Sequence, residues 1–109
     1  MQQYAYMLEK MKGIKEGNGT LLDNCMLMCG SGMRDGNAHS PHDLPLVYAG
    51  KAGGSVITGR HLMFKPRTPL CNLYKSMMLR MGAPVEKFGD STGELAGLND
   101  ANFASEVKA

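Results

Sequence analysis

Cys25-Met26-Leu27-Met28-Cys29-Gly30-Ser31-Gly32 is the stretch on which the fold turns: five apolar residues run without polar alternation and stop at a glycine-serine-glycine corner. A strand with one wet face alternates polar and apolar residues, so a continuous run asks for cover on both faces, as inside a parallel sheet flanked by helices. A second run of the same character, Leu44-Pro45-Leu46-Val47-Tyr48-Ala49, follows a polar loop, with Pro45 tolerable only near its start. Gly50 to Gly54 then read as a turn and Ser55-Val56-Ile57-Thr58 as a short third strand. The expected strands therefore cover about 24–30, 44–49 and 55–58.

Upstream, Tyr4, Met7, Leu8, Met11 and Ile14 recur at three- and four-residue steps, which predicts an amphipathic helix over about 3–15, stopped by Gly13, Gly17 and Gly19. Downstream, Thr68 suits an N-cap and Pro69 a first helical position. Leu70, Leu73, Tyr74, Met77, Met78 and Met81 then make one apolar face, and Gly82-Ala83-Pro84 closes a helix over 69–81. The Met stripe at this spacing reads as packing rather than as a soft-metal site. No period persists after Val85, so the remainder reads as an irregular wrap with a frayed tail over 99–109.

The fold class is α/β. Two helices and three short strands are too few to cover a two-sided sheet, so the pattern describes a partial three-layer unit, with residues 1–98 the C-terminal portion of a larger α/β domain. Met1 falls directly on the first helix, consistent with an internal start, and the expected partner is the missing N-terminal part of the same domain.

Composition narrows the function classes. The chain has 109 residues, 43% hydrophobic and 20% charged, which allows one modest domain. Its apolar runs fall far short of the ~20 residues of a spanning helix, and no basic stretch precedes an apolar segment as in a signal peptide. A net charge of +2 without clustered basic and aromatic residues argues against nucleic acid as a partner. The three cysteines lie in apolar segments without a CxxC pair and read as buried thiols. Charge is unevenly spread: no acid lies between Asp43 and Glu86, while Lys51, Arg60, Lys65, Arg67, Lys75 and Arg80 all do. That window reads either as a solvated face, docked or free, or as a surface for a small anionic substrate bearing phosphate or sulfate.

Motif tests reject the familiar phosphate and nucleophile devices. Gly30, Gly32 and Gly36 give GxGxxxG rather than GxGxxG, and no helix signal follows. Ser31 lacks the glycine two positions before it that a nucleophile elbow requires. Lys51 follows Gly50 but leads into a turn, unlike a phosphate loop. Polar chemistry concentrates instead in Arg34-Asp35-Gly36-Asn37-Ala38-His39-Ser40-Pro41-His42-Asp43, a loop leaving the carboxyl end of the first apolar strand, where α/β sheets gather ligands. Asp35, His39 and His42 are the candidate ligands for a divalent metal, zinc or similar; the same residue types also build turns. His61, beside Arg60, reads as a surface or packing histidine. No catalytic residue is singled out.

Taken in order, Gly19-Thr20-Leu21-Leu22-Asp23-Asn24, Gly30-Ser31-Gly32-Met33, Asp35-Gly36-Asn37-Ala38-His39, Leu44-Pro45, Gly59-Arg60-His61, Thr68-Pro69-Leu70 with Asn72-Leu73, and Phe88-Gly89-Asp90-Ser91-Thr92-Gly93 resemble the C-terminal part of a bacterial family known as domain of unknown function 1552. That family is distantly similar to the alkaline phosphatase and sulfatase superfamily. The resemblance implies a longer, exported or periplasmic protein, and in its complete form a metal-dependent phosphate- or sulfate-ester hydrolase, with this chain alone inactive. It implies Asp35 and His39 as metal ligands, with His42 in reserve. The sequence departs from the superfamily at one point: Gly30-Ser31-Gly32 stands where an Asp-His pair follows the strand. The alternative expectation is a non-catalytic cell-envelope structural or binding module that keeps the scaffold without the metals.

Overall fold

The central apolar run does become a strand, Leu27–Gly30, although it pairs differently from the parallel interior strand its composition suggests. The computed structural model describes residues 1–39 and 42–106. Ser40, Pro41 and the last three residues of the expected tail lie outside them. Two helices and two short antiparallel strand pairs make a mixed α/β chain, divided into compact units Met1–Thr58 and Gly59–Ala109.

In the first unit, helix α1 (Gln2–Lys12) is followed by β1 (Lys15–Glu16) and β2 (Gly19–Thr20), a 3-10 turn at Leu22–Asn24, then β3 (Leu27–Gly30) and β4 (Leu46–Ala49). Helix α1 ends three residues before the expected boundary of 15. Gly13 closes it by donating to the carbonyls of Glu9 and Lys10, and Lys15 and Glu16 are recruited into a hairpin whose turn uses Gly17 at φ 59°. The three- and four-residue spacing still identifies the inner face: Tyr4, Leu8 and Met11 are half-buried, whereas Tyr6, Met7 and Ile14 are exposed. The Tyr4 hydroxyl donates to the Leu27 carbonyl at 3.0 Å, tying α1 to β3, and burial raises its pKa above the ordinary phenol value.

Strands β3 and β4 pair antiparallel, with Leu27 opposite Ala49, Met28 opposite Tyr48, Cys29 opposite Val47 and Gly30 opposite Leu46. A parallel pairing needs a crossover, usually helical, and the described part of the connecting loop contains no helix. Neither strand is buried on both faces: β3 is half-buried until its exposed last residue, and Val47 is 45% exposed. The expected strand over 55–58 does not form. Ala52–Gly54 make a 3-10 turn, the Ser55 hydroxyl donates to the Ala52 carbonyl at 2.8 Å, and the Val56 amide donates to Lys51 at 3.1 Å, so turn closure uses these groups. Gly50 is obligatory at the end of β4: its φ is 102°, and a Cβ would overlap the Cys25 carbonyl oxygen.

The second unit holds α2 (Leu70–Arg80), preceded by a segment without regular secondary structure and followed by an irregular wrap. Thr68 does not cap the helix; its hydroxyl turns back to the Lys65 carbonyl at 2.7 Å, and Pro69 occupies the cap position. The predicted apolar face is real but off-centre. Leu73 is buried at 6% exposure, whereas Met81 is 74% exposed; the other buried positions of α2 are polar, Asn72 and Ser76. These two bind the wrap. Asn72 Oδ1 accepts from the Thr92 amide at 2.8 Å and Asn72 Nδ2 donates to Thr92 Oγ1 at 3.1 Å. Ser76 Oγ donates to the Asn72 carbonyl and accepts from the Leu95 amide, both at 2.9 Å. Beside them Tyr74 and Phe88 meet edge to face at 6.4 Å.

Removing the fully buried Ser76 hydroxyl leaves the half-buried Leu95 amide without this acceptor. Ser76→Ala is expected to destabilise the contact between α2 and the wrap by about 1–3 kcal/mol, read from faster exchange of the Leu95 amide. Unchanged exchange at Leu95 would contradict that role.

Candidate functional site

The loop after β3 begins with a serine turn: the Met33 amide donates to Ser31 Oγ at 3.2 Å. Asp35 then folds the next residues, its Oδ1 accepting from the Asn37 amide at 2.9 Å and the Ala38 amide at 3.2 Å. Arg34 and Asp43 pair at 3.2 Å across the loop, both side chains about half exposed, so the neck of the loop is held by one ion pair. His39 and Asp43 both adopt φ 54°, the left-handed region that ends such turns.

Asp35, His39 and His42 are all exposed on the loop where the sequence places them. Among the described residues no three His, Cys, Asp or Glu side chains gather closely enough to hold a metal ion. Asp35 is engaged in its turn and Asp43 in its ion pair. Cys25, Cys29 and Cys71 are free thiols and only half-buried, less than their apolar settings suggest. His61 is exposed.

The acid-free basic window resolves into individual contacts. Lys75 Nζ donates to the Glu86 carbonyl at 2.7 Å, Arg80 Nη1 to the Ser76 carbonyl at 3.0 Å, and Arg60 to the carbonyls of Gly97 and Asp100, each at 2.7 Å. Lys51 faces the Asp23 carboxylate at 3.7 Å. Four of the six cations therefore act on oxygens of the chain itself; for the exposed Lys65 and Arg67 no such contact is seen among the described residues.

A cleft of about 230 Å³ lies elsewhere in the first unit, lined by Leu22, Asp23, Tyr48, Ala49, Gly50, Lys51 and Thr58. None of the three candidate ligands borders it. Its two charged groups are the Asp23–Lys51 pair. Asp23 also accepts from the Thr20 amide at 2.9 Å, and this bond, with help from Lys51, holds its carboxyl below the usual range. The sequence signal for Asp23 is Thr20 three residues before it, the spacing of a local side-chain turn.

No protein-family model matches the chain, and comparison with curated proteins and with solved structures gives no match. No helix among the described residues is long and apolar enough to cross a membrane.

Because the folded pKa of Asp23 is depressed, its contribution to stability is present above the unfolded value of about 4 and lost as pH falls through the folded value. Asp23→Asn is expected to lower the urea midpoint at neutral pH and to flatten the decline below about pH 4. A variant whose midpoint follows pH as the wild type does would contradict this role.

Proposed function

We propose that this chain is a structural segment of a larger α/β protein, completed by further polypeptide of the same domain. The observation that carries this reading is the size of the core: among the described residues the buried hydrophobic side chains are Val56, at 5% exposure, in one unit and Leu73 in the other. Tyr6, Met7, Ile14, Val47, Leu79 and Phe88 stay exposed meanwhile. Units of 50–60 residues are marginal even with well-formed cores, and an isolated two-stranded sheet adds little. The cover these faces need is the kind a neighbouring sheet or helix layer supplies.

The chain by itself is expected to unfold over a broad urea range, with a slope below ~1 kcal/mol/M, or to associate as its concentration rises. A monomer with one sharp, cooperative transition would overturn the proposal.

The ester-hydrolase reading rests on Asp35, His39 and His42, exposed on the loop that leaves the carboxyl end of β3. Against it stands that Asp35 Oδ1 serves its own turn and that no three donors gather among the described residues. Zinc titration separates the two readings: wild type and a His39→Ala/His42→Ala double variant are expected to take up Zn²⁺ equally weakly. A stoichiometric site in the wild type, lost in the double variant, would favour a metal-dependent phosphate- or sulfate-ester hydrolase over the structural module.

A further inference from the structure

Asn18 is followed by glycine, whereas Asn24, Asn37, Asn72, Asn99 and Asn102 are each followed by a residue with a side chain. The difference is chemical: the backbone nitrogen of the next residue can attack an asparagine's own side-chain carbonyl carbon, and a missing Cβ leaves that approach open. Gly17 and Asn18 form the two-residue turn between β1 and β2, with Glu16 opposite Gly19 and Gly17 at φ 59°. Asn18 is exposed at its tip. Asn24 and Asn72 commit their side-chain amides to Glu16 and Thr92, but among the described residues no such bond holds the Asn18 amide. Position 19 is constrained in its turn. A Cβ there would come within 2.6 Å of Asp23 Oδ2, the oxygen that accepts from the Thr20 amide at 2.9 Å. The Asp23 turn therefore requires the glycine, and the glycine leaves Asn18 open to attack.

We propose that Asn18-Gly19 is a self-modification site, at which the hairpin converts to an isoaspartyl link and releases the Thr20 amide from Asp23. In the first step the Gly19 nitrogen gives up its proton to hydroxide and bonds to Asn18 Cγ. The bond from Cγ to Nδ2 breaks, ammonia leaves with a proton returned from water, and a five-membered imide remains. In the second step water opens the ring at either carbonyl. Opening at Cγ yields aspartate; opening at the backbone carbonyl leaves the chain running through Cβ and Cγ, longer by one atom. One water is consumed and one ammonia released, with no oxidant or cofactor. A two-residue turn fixes the register of the strands it joins. The additional atom therefore misplaces Gly19 and Thr20 against Glu16 and Lys15, and with them the amide that Asp23 accepts from. Pairing within the hairpin does not hold the Gly19 nitrogen back for long, because β1 and β2 have two residues each and so short a pair opens readily.

The test holds the full chain at physiological temperature in mildly alkaline buffer and follows each asparagine by digestion and mass spectrometry, with chromatography separating aspartyl from isoaspartyl peptides. Conversion is expected at Asn18 before any other asparagine, with isoaspartate the larger product. Gly19→Ala is expected to slow it at least about tenfold, whether or not that variant folds, because the added Cβ hinders the attacking nitrogen. In the converted fraction the Thr20 amide is expected to lose its protection from hydrogen exchange. Asn18→Asp carries the new charge without the longer backbone and is expected to keep that protection. The proposal is overturned if another asparagine converts first, if aspartate prevails, or if Gly19→Ala leaves the rate unchanged. It is overturned equally if Asn18 stays intact over the time in which a synthetic peptide of residues 14–22 converts. Thr20 exchange that is already free before conversion, that is unchanged by it, or that Asn18→Asp alone sets free, overturns it as well.

Discussion

One buried hydroxyl joins helix α2 of the second unit to the wrap that follows it. Ser76 Oγ sits between the Asn72 carbonyl it donates to and the Leu95 amide it accepts from, while the Asn72 side chain holds the Thr92 amide and hydroxyl. A serine that bonds back along its own helix leaves an acceptor lone pair for another strand of chain. Here that second bond fixes the wrap, and fixing Leu95 sets where residues 97–106 can reach to meet 60–65. Hydrogen bonds add only modestly to net stability, but a buried donor left unmade costs much more. With Leu73 as the one buried hydrophobic side chain of this unit among the described residues, the polar contacts set the tertiary arrangement and apolar burial reinforces it.

Helix periodicity is the most legible feature: Tyr4, Leu8 and Met11 of α1 and Leu70, Leu73, Tyr74, Met77 and Met78 of α2 are at least half-buried, while Met7, Ile14 and Met81 of the same spacing are exposed. What the pattern could not weigh was polarity at the centre of the α2 face. Asn72 and Ser76 stand four residues apart, one turn from each other on the same flank of Leu73's stripe, and that spacing is visible; its meaning depends on Thr92 and Leu95, about twenty residues away. Residues 24–30 and 44–49 were read as strands, and they are, over shorter spans. Their pairing was not legible, since direction depends on what the connecting loop does. The run 55–58 has strand composition, yet its backbone and hydroxyl groups close the turn begun at Lys51.

The loop 33–43 shows the same limit for chemistry. Residue type identified Asp35, His39 and His42 as donors, but donors become a site only when the backbone converges them. Asp35 turns its own backbone instead, and Asp43 meets Arg34. The basic window behaves likewise: charge was countable in the sequence, while its expenditure on carbonyls of Glu86, Ser76, Gly97 and Asp100 follows from the wrap. In both units, polar side chains hold irregular backbone where a larger protein would use packed layers.

Native-state hydrogen exchange across residues 59–106 tests the polar lock most directly. The account predicts that the Thr92 and Leu95 amides exchange more slowly than those of the exposed turn at 99–102, and that Asn72→Ala releases both together. Fast exchange at Thr92 and Leu95 in the wild type, with α2 amides still protected, would contradict it.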